Sequence, residues 1–401
     1  MDYRARIFRE LQQLGDLPPP TDEAIAHSEK LDHYLRHLAT ENGGTLFFDE
    51  FMEAVLYAPQ LGYYEAGATK FGPAGDFVTA PEISSLFGAC LAHQIIELFK
   101  AGATKQILEF GAGSGALAES VLAELALLDA LPDRYLILER SADLSARQAQ
   151  RLASWQAKGV KVEWLSRMPS HFNGLIVANE VLDAMAVKVW RYHNNTLEEQ
   201  AVEPRDDGWQ KVWHAPSTSL QQWFSALPEP LRSTLPDGYT SEANLQQDGW
   251  IRTLGAQLNT GAILVIDYGF PQHEYYHPQR PGTLMCHYRH HAHSEPTYLL
   301  GLQDITAHID FTSLAKSASA VDLTVAGYID QANFLTNCGL TNIMTRTAGN
   351  DLNQMARLAQ QAKLLLLPSE MGELFKVMML TKNLPQHSWL GFMHGDRRHR
   401  L

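Results

Sequence analysis

The chain alternates between short apolar runs and longer segments in which apolar residues recur every three or four positions. The apolar runs predict β-strands, and the helical spacing predicts amphipathic helices with one buried face. The predicted strands are 106–110, 135–139, 160–165, 174–179, 262–267, 340–345 and 375–381, and the predicted helices between the early strands are 84–99, 115–131 and 143–157. Alternation of this kind predicts an α/β fold with a largely parallel sheet and helices on both faces.

The segments around this alternation have a different character. Residues 1 to about 75 show helical spacing, with Pro18, Pro19 and Pro20 separating an opening helix from the next one. We expect the following organisation: a helical N-terminal region or lid at 1–75, a core in two parts at 76–185 and 251–384, an aromatic-rich insertion at 186–250, a second insertion at about 270–335, and a tail at 385–401 whose residues 394–400 are frayed and solvated. Both insertions follow the carboxyl ends of predicted strands, where α/β sheets hold ligands, so they could cover a site.

A glycine-rich turn follows the first core strand. Residues 108–115 are Leu-Glu-Phe-Gly-Ala-Gly-Ser-Gly, and an amphipathic helix begins directly after them. Glycine has no Cβ, so the turn can be tight and a ligand can approach its backbone. The following helix begins with unpaired N–H groups and a positive dipole end. The pattern is typical of a nucleotide-like cofactor site, although an ordinary βα turn with surface acids has the same spacing.

The spacing of the glycines narrows the choice of cofactor. Dinucleotide sites usually have G-x-G-x-x-G, whereas this turn has G-x-G-x-G with an acid, Glu109, just before it. An acid there suits a cationic ligand, and S-adenosylmethionine carries a sulfonium and an ammonium but no phosphate. Glu139 ends the next predicted strand, where such folds bind ribose hydroxyls. The residues expected to bind this cofactor are Glu109, Gly111, Ala112, Gly113, Gly115, Glu139 and Arg140.

A polar segment at 75–84 precedes the helix predicted at 84–99. Thr79 and Glu82 have the spacing of a capping box, and Pro81 suits a first helical turn, so capping explains them without any function. Alternatively, the segment crosses over the cofactor from its N-terminal side. In that case Phe77, Thr79 and Pro81 are expected to contact the cofactor.

Residues 179–183, Asn-Glu-Val-Leu-Asp, follow a buried strand, so their polar groups are expected to face the ligand crevice. Methyl transfer requires that the acceptor be positioned and, where it is protonated, that its proton be accepted. Glu180 could pair with a guanidinium in bidentate fashion, and Asp183, one turn later, could share that role. Asn179 is expected to contact the cofactor. The alternative is that Asn179 and Asp183 only cap the next helix.

Composition excludes several classes of protein. Hydrophobic residues make up 45% and charged residues 19% of the 401 residues, as in ordinary globular proteins. The net charge of −13 argues against broad nucleic-acid binding. The three cysteines lie far apart, and His287, His290, His291 and His293 lack a regular ligand spacing, so no metal is expected.

The sequence was also searched for apolar membrane-spanning runs and for the features of a transit peptide. No apolar run reaches the ~18 residues of a membrane span. The acids Asp2 and Glu10 among the first residues are unlike a transit peptide. We therefore expect a cytoplasmic protein, and a location in the mitochondrial matrix would require a transit peptide outside this sequence.

Seven sequence blocks, taken in order, resemble the MidA-type methyltransferases, a family of bacterial proteins and mitochondrial complex I assembly factors. The blocks are 59–64, 71–72 together with 75–84, 109–115, 178–184, 267–269, 304–311 and 371–376. The resemblance implies an S-adenosylmethionine-dependent methyltransferase with a seven-strand Rossmann-like core whose last strand is antiparallel. It implies that the glycine loop and Glu139 hold the cofactor and that the segments around Glu82 and Glu180 line the reaction site.

The same resemblance implies a partner. The mitochondrial relatives are protein arginine methyltransferases acting on a respiratory complex I subunit, so a protein substrate is expected, and a homodimer is a further expectation. Ala112 and Ser114 stand where the mitochondrial relatives tend to have Pro and Arg, and Ala186 replaces a usual proline. Two alternatives remain open at this point: an oxidoreductase using the same loop, and a non-catalytic assembly factor that docks a partner through 186–250.

Overall fold

The computed structural model describes residues 2–15, 17–65 and 79–401. Its helices, in chain order, are α1 (Tyr3–Gln13), α2 (Asp22–Glu41), α3 (Phe48–Tyr57), α4 (Ala80–Ile83), α5 (Ser85–Lys100), α6 (Ala116–Leu127), α7 (Ala142–Ala157), α8 (Thr218–Ala226), α9 (Glu229–Arg232), α10 (Leu245–Gln257), α11 (Gln272–Tyr275), α12 (Phe311–Ser319), α13 (Gln331–Asn337), α14 (Leu340–Ala348) and α15 (Leu352–Leu366). Its strands are β1 (Leu46–Phe47), β2 (Gln106–Phe110), β3 (Arg134–Leu138), β4 (Lys161–Leu165), β5 (Phe172–Asn179), β6 (Lys188–His193), β7 (Thr196–Arg205), β8 (Gly208–His214), β9 (Tyr239–Ala243), β10 (Leu258–Phe270), β11 (Met285–Tyr288), β12 (His291–His293), β13 (Asp304–Thr306), β14 (Ile309–Asp310), β15 (Thr324–Asp330) and β16 (Phe375–Lys382).

The chain forms two compact units, each assembled from three separate stretches. The first unit consists of the described residues of Met1–Phe77, with Asp183–Gln247 and Gln272–His308. The second unit consists of Val78–Leu182, Asp248–Pro271 and Ile309–Leu401, of which the structure describes residues 79 onward.

The second unit contains the predicted parallel sheet. Its strand order is β15-β16-β10-β5-β2-β3-β4, and β14 also pairs with β10. The strands from β10 to β4 run parallel, while β16 is antiparallel to both β10 and β15. β5 and β10 are nearly continuous apolar runs because both faces of a parallel sheet are covered. The expected α/β fold is confirmed.

The helices predicted between the early strands are confirmed as α5, α6 and α7, but the strand predicted at 340–345 is wrong. That segment is the helix α14, which begins after Gly339 in a left-handed conformation, with φ of 87°. Its buried residues Leu340 and Ile343 are three positions apart, which is helical spacing. The strand beside β16 is instead β15, which lies in the segment we expected to be an insertion.

The prediction of a frayed C-terminal end at 394–400 is also wrong. The backbone N–H of Arg397 donates to the carbonyl of Tyr328 on β15 at 2.6 Å, and the Arg397 guanidinium lies 3.0 Å from the Asp330 carboxylate. Most side chains of this segment are exposed, as predicted. The backbone is nevertheless fixed, because its polar groups are paired with those of a sheet strand.

The first unit is built on antiparallel pairing. One sheet has the order β1-β7-β6-β9, with β8 paired to β7, and a second has the order β12-β11-β13. β6 and β7 form a hairpin whose turn residues, Asn194 and Asn195, have φ of 49° and 58°. Asparagine tolerates that conformation better than most residues, which is why it is common in tight hairpin turns. The helices α1, α2 and α3 belong to the same unit, as the helical spacing of the N-terminal region predicts.

Candidate active site

The glycine loop connects β2 to α6 in the second unit. Gly111, Gly113 and Gly115 have φ of 58°, 52° and 81°, a region that side chains other than glycine rarely adopt. Gly111 is exposed, and among the described residues a Cβ added there would have one neighbour within 4 Å, the side chain of Val181 at 3.8 Å. The backbone at Gly111 is therefore open to a ligand.

The loop is held from one side by the glutamine at the centre of α7. Gln148 is completely buried, and its Nε2 donates to the carbonyl of Gly113 at 2.9 Å and to Oε2 of Glu139 at 3.0 Å. Its Oε1 accepts the indole N–H of Trp164 at 2.8 Å. One side chain therefore connects the glycine loop to the acid that follows β3.

A second residue of α7, one turn later, contacts the end of the loop. Arg151 donates to the carbonyl of Ser114 at 3.1 Å and to the carboxylate of Glu119 at 2.8 Å. The hydroxyl of Ser114 in turn donates to the Glu82 carboxylate of α4, and Arg151 lies 4.0 Å from the same carboxylate. The structure thus brings Glu82 to the loop, as the cofactor-crossing interpretation of its segment requires.

The capping-box interpretation of that segment is wrong. The Thr79 side chain makes no capping hydrogen bond to α4, although Thr79 is the residue that precedes it. Pro81 lies in the first turn of α4, as predicted. Phe77 lies outside the described residues.

Glu109 is a buried carboxyl at the end of β2. Its Oε2 accepts the phenol O–H of Tyr135 on β3 at 2.6 Å. Burial raises the pKa of Glu109 to about 7, and the nearby charge of Glu139 acts in the same direction, while the bond from Tyr135 opposes it. A positive charge placed near this carboxyl would favour its ionised form.

Glu139 follows β3 directly. Its Oε1 accepts the backbone N–H of Ser141 at 3.0 Å, while its Oε2 accepts from Gln148. The carboxylate is thus held by α7, through the backbone of its N-cap residue and through a side chain two turns later. Arg140, the next residue, is exposed.

Two residues at the end of β5 form a second polar group. Glu180 has φ of 53°, an uncommon value for a residue other than glycine. Its Oε1 accepts from Nδ2 of Asn179 at 3.1 Å, and its Oε2 accepts from the hydroxyl of Tyr268 at 3.2 Å. Oδ1 of Asn179 is buried and has no hydrogen-bond partner among the described residues. A buried acceptor without a donor is costly, and a bound ligand is one way to satisfy it.

The strand β10 fixes the backbone beside this group. Asp267 is fully buried, and its Oδ2 accepts the N–H of Leu182 at 3.0 Å while its Oδ1 accepts the N–H of Tyr268 at 2.9 Å. Tyr268 packs against Phe375 of β16, with ring centroids 4.2 Å apart. These contacts hold the Tyr268 hydroxyl in reach of Glu180.

Asp183 belongs to the first unit, unlike Glu180. Its carbonyl accepts the N–H of Ala307 at 2.9 Å, and the hydroxyl of Tyr57 donates to the carbonyl of Ala184 at 3.1 Å. The carboxylate of Asp183 helps to raise the pKa of Tyr64, whose burial is the larger cause. The backbone around Asp183 is held within its own unit.

Metal chemistry finds no support in the described part of the chain. Residues 2–15, 17–65 and 79–401 contain no group of three or more His, Cys, Asp or Glu side chains placed to hold a metal ion. Across the same ranges, no helix is long and apolar enough to cross a membrane.

A surface groove of about 1020 Å³ lies near the amino end of β2, lined in part by Phe99, Lys105, Ala130 and Leu390. None of the predicted site residues lines it. The groove is therefore separate from the glycine loop, which follows the opposite end of the same strand.

Comparison with known proteins identifies the family. A family model described as "Putative S-adenosyl-L-methionine-dependent methyltransferase" matches residues 90–329, more than half of the chain. The chain belongs to this methyltransferase family. The match includes the glycine loop, α7 and the end of β5.

Two kinds of relatives support the assignment of the chain to this methyltransferase family. A crystal structure from Burkholderia thailandensis, of a "likely methyl transferase" bound to S-adenosyl-homocysteine, has 39% identity and a TM-score of 0.90, and the match covers 96% of this chain and all of that one. A zebrafish (Danio rerio) protein named "Protein arginine methyltransferase NDUFAF7, mitochondrial" is 28% identical, with 92% of each chain covered. A Drosophila melanogaster homologue of that name is 27% identical over 86% of this chain. The protein is an S-adenosylmethionine-dependent methyltransferase.

The residues present fit this cofactor. The loop offers open backbone at Gly111, the acids Glu109 and Glu139 lie on consecutive strand ends, and Asn179 has an unsatisfied buried acceptor. Amino and hydroxyl groups of an adenosyl amino acid are donors that such acceptors require. The roles of the individual residues stay predictions.

Sequence reasoning missed Gln148, Arg151 and Tyr135. A signal for Gln148 was present, because the buried positions of α7 are Gln148, Leu152 and Trp155, an apolar stripe that contains one amide. A polar residue on a buried stripe needs partners, and here the partners are the loop and Glu139. Nothing in the sequence distinguishes the Tyr135 hydroxyl from those of other strand tyrosines.

Proposed function

We propose that this methyltransferase transfers the methyl group to an arginine side chain of a protein and that Glu180 orients the guanidinium. The observation that supports it is the geometry of Glu180: a strained backbone and a carboxylate whose two oxygens are held by Asn179 and Tyr268. Strain of this kind persists where surrounding contacts enforce it and is concentrated at functional sites. The names of the zebrafish and fly relatives point to the same acceptor.

The cofactor is proposed to lie along the carboxyl ends of β2, β3 and β5. Glu139 receives the ribose hydroxyls, Gly111 and Gly113 provide backbone contact, and Glu109 lies toward the cationic groups. When bound, S-adenosylmethionine supplies an electrophilic methyl carbon. Asn179 would use its unsatisfied oxygen to accept a hydrogen bond from the same ligand.

The acceptor chemistry follows from the charge of Glu180. A carboxylate pairs with a guanidinium through two parallel hydrogen bonds and fixes its plane. One guanidinium nitrogen then forms the bond to the methyl carbon as the carbon–sulfur bond breaks. The proton of that nitrogen passes to solvent water, which leaves neutral S-adenosylhomocysteine and a methylated guanidinium. The negative charge of Glu180 favours this step, because it stabilises the positive charge that remains on the guanidinium.

A peptide assay tests the acceptor. Proteins and peptides, with a respiratory complex subunit first among them, are incubated with S-adenosylmethionine bearing a labelled methyl group, and the modified residue is located by mass spectrometry. Methylated arginine that disappears when arginine is replaced by lysine, and that is lost with Glu180→Gln, is the expected result. Methylation of lysine or of a small molecule instead would refute the arginine assignment while leaving the methyltransferase intact.

A further inference from the structure

We propose that Gln148 is a positioning residue of the cofactor site, which holds the Glu139 carboxylate in the orientation that recognises the ribose hydroxyls. The inference rests on the proposed role of Glu139. Gln148 itself lies behind the loop and is fully buried. It would act on the ligand only through the groups that it holds.

The orientation of the Gln148 amide is fixed by its neighbours. The indole N–H of Trp164 can only donate, so the oxygen of the amide must face it, at 2.8 Å. The NH₂ group then faces two acceptors, the Gly113 carbonyl at 2.9 Å and Oε2 of Glu139 at 3.0 Å. Each of its two hydrogens has one acceptor, so the amide cannot flip without placing its oxygen against two other oxygens.

The consequence for Glu139 is a carboxylate with a defined plane. Oε2 is held by the side chain of Gln148 and Oε1 by the backbone N–H of Ser141, the N-cap of the same helix α7, so both oxygens are fixed by one rigid element. Two adjacent hydroxyls, such as those of a ribose, pair best with both oxygens of a carboxylate whose plane does not rotate. Because the same amide also holds Gly113, the distance between the loop and the carboxylate is set by one side chain.

Packing alone does not account for a glutamine at this position. Gln148 shares the buried stripe of α7 with Leu152 and Trp155, where an apolar side chain of similar volume would be buried without the cost of desolvating an amide. The three hydrogen bonds offset that cost. The acceptors of the two bonds that Gln148 donates, Gly113 and Glu139, are both proposed to contact the cofactor, which is the reason to assign Gln148 to the site and not to the core.

The test compares ligands that differ by one hydroxyl. Gln148→Met keeps the volume and removes both donors, and Gln156→Met is the matched control. Gln156 lies on the same helix and donates to the carbonyl of Val162 at 3.2 Å, away from the loop. Calorimetry gives the dissociation constants of S-adenosylhomocysteine and of its 2′-deoxy and 3′-deoxy analogues for each protein.

The parent is expected to bind S-adenosylhomocysteine about tenfold more tightly than the deoxy analogues. Gln148→Met should weaken S-adenosylhomocysteine about tenfold and nearly abolish the difference between the three ligands, while Gln156→Met keeps the parental pattern. Equal weakening of all three ligands in Gln148→Met, or no weakening, would overturn the proposal, because a purely structural residue does not discriminate between them.

Two further variants keep the outcome interpretable. Gln148→Glu preserves shape but at pH 8 places a carboxylate against two acceptors, and it should lose the hydroxyl preference in the same way if Gln148→Met does not fold. Glu139→Ala separates the two levels of the argument. If Glu139→Ala keeps the preference for hydroxyls, the ribose assignment itself is wrong. If Glu139→Ala loses the preference and both Gln148 variants keep it, only the role of Gln148 is rejected.

Discussion

Two neighbouring regions of the second unit's sheet present groups to a ligand in different ways. The cofactor half, at the ends of β2 and β3, uses three glycines in left-handed conformations and is braced by two residues of α7. The acceptor half, at the ends of β5 and β10, has a glutamate in a left-handed conformation, held by one side chain near the carboxyl end of each strand. In our proposal the backbone is the binding surface of the first half, and a single carboxylate is the binding surface of the second half.

This difference has an energetic consequence. Glycine adopts positive φ without a steric cost, whereas another residue loses about 1 kcal/mol or more. The cofactor half is therefore relaxed, and the acceptor half stores strain that Asn179, Tyr268 and the buried Asp267 must compensate. Changes that alter backbone conformation should damage the first half most, and changes that remove one charge should damage the second.

The largest effect is expected from Gly113→Val. A β-branched side chain at φ of 52° is strained, and relief of that strain would move the carbonyl that Gln148 holds. Binding of S-adenosylmethionine, measured by calorimetry, should weaken by about 100-fold or more. Undiminished binding would show that the cofactor does not lie on this loop.

Gly159→Val is the control for that variant. Gly159 also has positive φ, of 92°, and a Cβ added there would have no neighbour within 4 Å among the described residues. Valine at this position therefore introduces the same kind of backbone strain outside the glycine loop. Thermal unfolding should show destabilisation of both variants, with normal cofactor affinity in Gly159→Val alone.

Glu180→Gln should produce the next largest effect, and this effect concerns the acceptor half. The amide keeps the shape of the side chain but loses the charge that pairs with a guanidinium, so kcat should fall by about 100-fold. The dissociation constant of S-adenosylmethionine should change less than threefold. A parallel loss of cofactor affinity would mean that Glu180 belongs to the cofactor half.

The same contrast explains what the sequence could predict. The glycines at 111, 113 and 115 indicate a turn with positive φ, because glycine adopts that conformation readily. The acids near the ends of two strands indicate the edge of the sheet at which a ligand binds. The sequence pattern therefore predicts both the loop and the cofactor. The left-handed Glu180 has no such signature, because its conformation is imposed by tertiary contacts. The helix at 340–345 was mistaken for a strand since its short apolar pattern fits both periods.

Contacts between distant segments were the hardest to predict. The bond from Gln148 to Gly113 joins residues 35 positions apart, and the bond from Tyr268 to Glu180 joins residues 88 positions apart. Hydrophobic periodicity places each residue on a face but does not show which polar groups meet. The sequence offers a crossing of the 75–84 segment over the cofactor as one of two alternatives, and the position of Glu82 beside Ser114 favours it.

A smaller effect, dependent on pH, is expected from Glu109→Gln. The pKa of Glu109 is raised to about 7 in the folded protein, against about 4.3 for a free side chain. Its proton is therefore bound more tightly in the folded state. The stabilisation that this gives is complete below about pH 4 and is lost as the pH rises toward 7.

Glu109→Gln removes this pH dependence. Between pH 5 and 8 the parent should lose about 1–3 kcal/mol of unfolding free energy relative to the variant, as urea unfolding at each pH would measure. If Glu109 lies toward the sulfonium, the parent should also prefer S-adenosylmethionine to S-adenosylhomocysteine more strongly at pH 8 than at pH 6. A pH-independent preference in the parent would place Glu109 away from the sulfonium.

The smallest effects come from a matched pair of tyrosines, one in each half. Tyr135 donates to Glu109 at 2.6 Å and Tyr268 donates to Glu180 at 3.2 Å, so Tyr135→Phe and Tyr268→Phe each remove one phenol hydroxyl from one carboxylate. Each substitution is expected to change one measured quantity, kcat for the acceptor half or cofactor affinity for the cofactor half, by about two- to fivefold. Tyr268→Phe should lower kcat and leave the cofactor dissociation constant unchanged, because it frees the acceptor carboxylate to rotate.

Tyr135→Phe should change cofactor affinity, while kcat at saturating cofactor stays the same. It should also raise the pKa of Glu109 further, because the hydrogen bond from Tyr135 favours the ionised carboxyl. If both variants altered kcat and affinity together, the two halves would act as one unit and the division drawn between them would not hold.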